Sequence, residues 1–408
     1  MPGLATHRPL RPSGVDAVAF RPPHVAVLIE TTHGTARKQV LGIADYLRQH
    51  GVRWELDHEP RRMEKGPPSW LSRWRGDGII ARVYSEKTLA VIDRLGVPVV
   101  NLWQGQPWTA KLPVCGNDDA LVAQLAARHL MERGFRQFAF VGVQGQGWSA
   151  ARGDAFAAFV ASRRFPCVRF EFPSGGHSCL PPKYRSRQLL EWLRRQPLPL
   201  GLMAANDYYA AAVVACCRTA GIAVPEQVAI VGVDDDEAVC EMTSPMLTSV
   251  AIDHRRIGFE AARLLAQLMA GKPPNTQVVV PLAGLVCRQS SAGRAIEDPI
   301  VAAALETIRT RAMGPLTIDD LVARLGVSRT ALTRAFAAEV GHGIHDEILE
   351  VRLREARRLL AESDLKLDAI ARQSGFEHPQ HLCRVFRQRL GVTPGHYRRT
   401  AKQAGKPG

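Results

Sequence analysis

From His24 to about Arg288, short apolar runs alternate with longer segments in which apolar positions recur every three or four residues. The runs are Val25 to Ile29, Gly78 to Ala81, Val97 to Val100, Phe138 to Val143, Leu200 to Ala204, Val228 to Val233 and Val278 to Val280. The amphipathic segments include Lys38 to Gln49, Asp119 to Arg133, Tyr208 to Ala220 and Arg256 to Ala270. A run that is apolar throughout is a strand buried on both faces, and its alternation with helices predicts an α/β fold of parallel sheets with helices on each side. Ligands of such sheets sit beyond the carboxyl ends of the strands.

Beyond about residue 298 the strands stop and one helical pattern is written twice. The copies run from Thr317 to Gly341 and from Leu367 to Gly391; Leu332, Arg334, Phe336 and Gly341 recur fifty residues later as Leu382, Arg384, Phe386 and Gly391. A constant offset of this kind marks an internal duplication. Each copy reads as a helix, a tight turn at Gly326 or Gly375, and a second helix whose apolar pair lies on one face. Thr317 with Asp320 forms a capping-box pattern, Ser328 is a good N-cap, and Pro379 fits a first helical turn, where no amide hydrogen bond is lost. Between the copies, Ile348, Leu349, Leu353, Ala356, Leu359 and Leu360 have helical spacing, so one stiff helix over Asp346 to Glu362 is expected to join the halves.

This stretch resembles the AraC-type transcription-factor domain, whose second copy carries a pattern like Gly375-Phe376, Arg384-Val385-Phe386, Gly391-Val392-Thr393-Pro394 and Tyr397-Arg398. The resemblance implies an all-α double helix-turn-helix domain at 299–400 that binds double-stranded operator DNA. Opposite the apolar face of each second helix stand Arg329, Thr330, Thr333 and Arg334, then His378, Gln380, His381 and Arg384, the candidate DNA contacts. A merely solvated helix face has a similar composition.

Composition and charge narrow the classes. The 408 residues are 46% hydrophobic, enough for two or three domains with sizeable cores. No apolar run approaches the roughly 20 residues of a membrane helix. Residues 1–22 are rich in Pro and Arg without the apolar centre of a signal peptide, so a flexible tail and a cytoplasmic chain are expected, with a second tail at 401–408. The eight cysteines form no Cys-x-x-Cys pair, and His342, His345, His378, His381 and His396 lack metal-ligand spacing; no metal or cofactor is expected. The formal charge of +14 invites a nucleic-acid partner, yet 298–408 contributes +5 and 1–22 adds +2, leaving +7 for the middle. That middle charge reads as a solvated basic surface. Gly142-x-x-Gly145-x-Gly147 fits neither the dinucleotide nor the P-loop spacing, and no nucleophile elbow is visible.

Polar groups gather at three expected strand ends: Trp148 and Arg152 after Val143, Asn206 and Asp207 after Ala204, and Asp234 to Glu237 after Val233. Forked donors and acceptors with one indole face suit a polyhydroxylated ligand. The segment resembles the effector domain of LacI/GalR-type repressors, related to the type I periplasmic sugar-binding proteins. The likeness rests on Asn206-Asp207 before a helix, Pro225-Glu226 leading into Val228 to Asp234, and Pro245 followed by Leu247 to Val250 and a helix from Ile257. It implies a two-lobed periplasmic-binding-protein-like (type I) domain at 23–289, followed by a polar linker at 290–298. By the same resemblance Asn117 or Asp118, Arg152, Asn206 or Asp207, and Asp234 line an effector cleft. Those repressors carry a DNA-binding headpiece before the first strand, whereas here the DNA-binding pattern lies at the other end.

An effector domain of this type joined to a C-terminal AraC-type domain is similar to a group of bacterial regulators that respond to xylose, and Trp148 four residues before Arg152 fits that group. Two positions depart from it: Asn117 stands where the group carries Asp, and Arg82 where it tends to be acidic. Xylose is the expected effector, with another or an acidic sugar left open by that exchange. The expected partners are operator DNA, the sugar, a second copy of the chain in a homodimer, and RNA polymerase, with no membrane. The alternative class is a sugar-converting α/β enzyme whose C-terminal repeat is an interaction module.

Overall fold

The computed structural model describes residues 21–60, 66–102, 105–173, 184–272 and 277–404; most of the two expected tails lies outside them. Two compact units form, the first from segments up to residue 116 together with 254–278, the second from 117–253 and 279 onward with a short piece at 104–107.

The first unit holds a six-stranded sheet of β1 (His24–Leu28), β2 (Glu55–His58), β3 (Gly78–Ala81), β4 (Val99–Asn101), β5 (Val114–Gly116) and β11 (Gln277–Val279), in the order β11-β5-β4-β3-β1-β2. Its central strands are buried along their length, with Val25 opposite Gly78 and Ile79 opposite Val99 in parallel register. Helices α1 (Gly34–Gln49) and α2 (Glu86–Leu95) flank it with α8 (His254–Met269). Helices α1 and α8 cross in close contact because each supplies a glycine. A Cβ on Gly42 would lie 1.8 Å from the Arg255 carbonyl oxygen, and one on Gly258 would lie 1.9 Å from that of Gln39.

The second unit repeats the scheme with β6 (Gln137–Val143), β7 (Cys167–Phe172), β8 (Leu200–Ala204), β9 (Val228–Val233), β10 (Thr248–Ile252) and β12 (Leu282–Val286), ordered β12-β10-β9-β8-β6-β7. All neighbours are parallel except β12, which runs antiparallel to β10. Helices α3 (Asp119–Glu132), α4 (Gly147–Ala161), α5 (Tyr184–Leu193), α6 (Asp207–Ala220) and α7 (Glu237–Met242) make the crossovers. Ser290 and Ser291, in the expected polar linker, are fully buried. Ser290 accepts from the Thr248 amide at 2.9 Å and donates to the Ile230 carbonyl at 2.7 Å. The Ala295 amide bonds the Arg133 carbonyl and that of Ile296 bonds the Glu226 carbonyl. This segment is a strap sewn onto the amino-terminal edge of the sheet.

Seven helices follow: α9 (Pro299–Arg311), α10 (Ile318–Leu325), α11 (Arg329–Val340), α12 (Ile344–Glu362), α13 (Leu367–Gln373), α14 (Pro379–Leu390) and α15 (Pro394–Ala404). The duplication is visible in the fold: α10 and α11 turn at Gly326, α13 and α14 at Gly375, and α11 and α14 end at left-handed Gly341 and Gly391. Thr317 and Asp320 form the reciprocal capping box and Ser328 caps α11. The shared helix α12 serves two cores. Ile344, Ile348 and Val351 pack with Leu332 and Phe336 of the first copy, whereas Leu353, Ala356 and Leu360 pack with Leu382 and Phe386 of the second. Arg352 ties the halves further, donating to the carbonyls of Ala312 and Gly314 at the end of α9.

Candidate effector site and DNA-reading helices

The polar centre of the second unit is Arg152, on the second turn of α4 and 5% exposed. Its Nε donates to Asp119 Oδ1 at 2.8 Å and its Nη1 to the Ala205 carbonyl at 2.7 Å. One helical turn earlier, the Trp148 ring lies 5.2 Å from the guanidinium carbon, within cation–π range. Burial works against the charge of Arg152, but Asp119, Asp234 and Asp207 outweigh it and hold the guanidinium more firmly protonated than usual. One cation therefore faces three carboxylates drawn from the starts of α3 and α6 and the end of β9.

Asp207 has a different position from the one its sequence context suggests. It is 1% exposed, with Oδ1 accepting from Ser249 Oγ at 2.6 Å and Oδ2 from the Asp236 amide at 2.8 Å. Both oxygens are thus committed to bracing the 234–236 turn, where Asp234 and Asp235 adopt positive φ of 102° and 50°. Burial and the neighbouring Asp234 push the Asp207 carboxyl upward, against those hydrogen bonds. Asp118 and Asn206 serve as N-caps: the first accepts from Ala120 and Leu121, the second from Tyr209. Asn117 donates to Asp119 at 2.7 Å. Asp119, absent from the residues singled out in the sequence, is the carboxylate that pairs with Arg152. Two preceding polar residues, Asn117 and Asp118, hid it, and only the pitch of the helix start distinguishes which of the three turns inward.

Arg82 belongs to the first unit. It is 6% exposed at the end of β3, where Nε donates to Gln39 Oε1 at 3.0 Å. The buried Glu30 accepts from the Thr32 hydroxyl nearby in the chain.

In the helical part, Arg329, Thr330, Thr333, Arg334, His378, Gln380 and Arg384 are all exposed on α11, α14 and the start of α14. Arg329 pairs with Asp319 at 3.2 Å, and the Thr333 hydroxyl donates to the Arg329 carbonyl. His381 is half-buried, edge-on to Phe376 with ring centroids 5.4 Å apart. Burial and then Arg384 lower its pKa, which favours the neutral ring.

Comparison with known proteins bears on both parts. A model of a periplasmic binding protein-like domain matches residues 127–291, and a model of a helix-turn-helix domain matches 321–400. The xylose operon regulatory protein of Escherichia coli K12 is 28% identical over 386 residues, covering 92% of this chain and 96% of that protein. That of Haemophilus influenzae Rd is 28% identical over 92% and 97% of the two chains. Among solved structures, a xylose-binding transcription activator superposes with a TM-score of 0.79 at 27% identity, covering 93% of this chain and 99% of the other. A lac repressor dimer bound to operator shares only the fold, with a TM-score of 0.54 at 19% identity over 67% of this chain and 95% of the other. The chain is accordingly a helix-turn-helix transcription regulator with a periplasmic-binding-protein-like effector domain. Within that class it is a homologue of the xylose operon regulatory proteins.

Proposed function

We propose that this chain is a sugar-responsive, sequence-specific regulator of an operon for xylose or a related sugar, acting as a homodimer through its effector domain. The observation that carries the reading is Arg152 held against Asp119 with Asp234 and Trp148 beside it, at the carboxyl ends of the second sheet. Such a group offers paired donors and acceptors to vicinal hydroxyls and an indole face to the apolar side of a sugar ring. The excess of carboxylate over guanidinium favours a neutral sugar over an acidic one. Asn117 and Asn206 are further candidate contacts. The exposed polar faces of α11 and α14 enter successive major grooves, about 34 Å apart along one side of the duplex. Arg334 and Arg384 contact bases or phosphates, with Thr333, Gln380 and His381 as readers of base edges. RNA polymerase is a further partner at the promoter.

The test is a thermal-shift panel of pentoses, hexoses and uronates on the full chain. A ligand at about 100 times its dissociation constant adds roughly 2.7 kcal/mol to folded-state stability. Stabilisation by a neutral pentose, lost in Arg152→Ala, is expected; no response to any sugar removes the reading.

A further inference from the structure

The α/β part of the second unit is almost neutral, yet its charges are sorted. Residues 117–253 hold 13 Lys and Arg against 14 Asp and Glu. Asp118, Asp119, Asp207 and the run Asp234 to Glu237 lie at the carboxyl ends of the strands, around Arg152. The amino-terminal edge carries the opposite sign. Arg136 precedes β6, Arg163 and Arg164 precede β7, Arg194 and Arg195 precede β8, and Arg218 closes α6 before β9. All six are exposed, and the exposed carboxylates nearest them are Glu132, at the end of α3, and Glu191, near the end of α5 and paired with Arg187. Among the described residues none of the six has a carboxylate partner: Arg136 donates to the Met131 and Phe135 carbonyls and Arg163 to Ser162 Oγ. A merely soluble surface mixes its signs. Arg164 is also held at a φ of 63°, a conformation that a Cβ-bearing residue rarely adopts.

The position of this edge indicates the partner. The loop before β9 is where the DNA-binding part is fastened: Ala223 packs in the core of α9 to α12, and Glu226 receives the strap. From that joint the sheet order β9-β8-β6-β7 carries the arginine loops outward in one row. Strands 4.7–4.9 Å apart place a row of three neighbours over roughly 10–15 Å, a span that meets several phosphates of a duplex carrying one charge per about 1.7 Å.

We propose that the amino-terminal edge of the second sheet is an auxiliary DNA-backbone surface that grips duplex flanking the site read by α11 and α14. The proposal rests on the DNA-binding reading above and adds a sequence-independent contact to it.

The experiment uses the full chain and a duplex selected on it from random sequence. One form ends at the last base whose substitution weakens binding; the other continues for about two helical turns (~20 base pairs) of arbitrary sequence on each side. The wild type should bind the extended form about tenfold more tightly. Its log–log salt slope should be steeper by up to about 3.6, about 0.9 for each of four phosphates. The variant Arg163→Gln/Arg164→Gln/Arg194→Gln/Arg195→Gln should bind both forms alike, at the wild-type affinity for the short one, and four Lys replacements should restore most of the gain. A glutamine variant that keeps the full gain, or a wild type that shows none, overturns this surface alone. A basic edge that binds acidic protein or anionic vesicles but gives no flank effect counts as the same refutation. A wild type that selects no DNA overturns the underlying reading as well.

Discussion

At the scale of the residue, the candidate effector site separates groups that would touch a ligand from groups that hold them in place. Replacing Arg152 by Ala should abolish sugar-induced stabilisation while the chain still folds, because Asp119 and Asp234 lie at helix and strand ends, where water can reach a vacated space. Asp207→Ala is expected to be worse for stability. It leaves the Ser249 hydroxyl and the Asp236 amide buried without an acceptor, a loss of about 2–4 kcal/mol that a melting curve without ligand would register. Asn206→Ala removes only a cap and should cost about 1 kcal/mol. Equal midpoints for the Asp207 and Asn206 variants would contradict this division. The sequence marked Asn206-Asp207 as a pair and could go no further, since facing the strand end and bracing the next turn differ by one residue of helix phase. The same limit applied to Asn117, Asp118 and Asp119, where the residue paired with Arg152 is the third. His129 carries no local signal in the sequence, because its partner lies 162 residues away. It is buried against Ser291 Oγ at 2.6 Å, and burial, then Arg133, lower its pKa to about 4. Its neutral form is the folded one, so it contributes stability above about 6.5 that is lost as pH falls through 4.

Among the elements, strands that are apolar throughout were legible, and so was the edge strand β11, marked by the run Val278 to Val280, whereas edge strands of mixed polarity were not. Gly78–Ala81, Leu200–Ala204 and Val228–Val233 are apolar at every position and stand where the runs place them. β2 and β7 lie at the ends of their sheets, with one face open, and mix Glu, Asp and Arg with apolar residues. β10 was hidden for another reason: it is fully buried but begins Thr-Ser, with Thr248 satisfied by the strap at Arg288 to Ser291 and the Ser249 hydroxyl by Asp207, long-range partners that no local pattern reveals. The helix-turn-helix copies were legible because duplication displays one pattern twice, yet their turns are not equivalent. Gly326 has a φ of 67° and open space around it; Gly375 has a φ of 80°, and a Cβ there would lie 2.6 Å from the Ala312 carbonyl oxygen and 2.8 Å from Arg352 Nε. Gly326→Ala should therefore cost only the left-handed strain, about 1–2 kcal/mol. Gly375→Ala must also push α9 from the second copy, and should cost at least twice as much by urea titration of the full chain. Equal losses would mean that the two halves of the DNA-binding part are not locked through Arg352.

Over the whole molecule, the second unit joins the proposed ends of the signal through one strand. β9 begins two residues after Glu226 and ends beside Asp234, a rise of about 20 Å for six residues. A sugar can shift a regulator between states only by binding one of them more tightly, and β9 is the strand that links Asp234 to the joint where the DNA-binding part is fastened. That joint contains an under-satisfied pair. Glu226 lies 3.8 Å from Arg309 of α9, and neither Glu226 Oε2 nor Arg309 Nε has a hydrogen-bond partner among the described residues. Burial pushes the Glu226 carboxyl up to about 7 from 4.5, with Arg309 opposing. The folded state therefore holds its proton through a window in which the unfolded chain has lost it. The resulting contribution to stability is complete below about 4.5 and disappears as pH rises through 7. Glu226→Gln cannot titrate. Whatever the substitution costs at pH 5, the balance between variant and wild type should move toward the variant by up to about 3 kcal/mol at pH 8, as one pKa unit is worth about 1.4 kcal/mol. Melting midpoints of both proteins at the two pH values measure that difference of differences. A value that stays constant would mean that Glu226 is ionised in the joint throughout, and that Arg309 holds α9 to the sheet more tightly than a 3.8 Å separation implies.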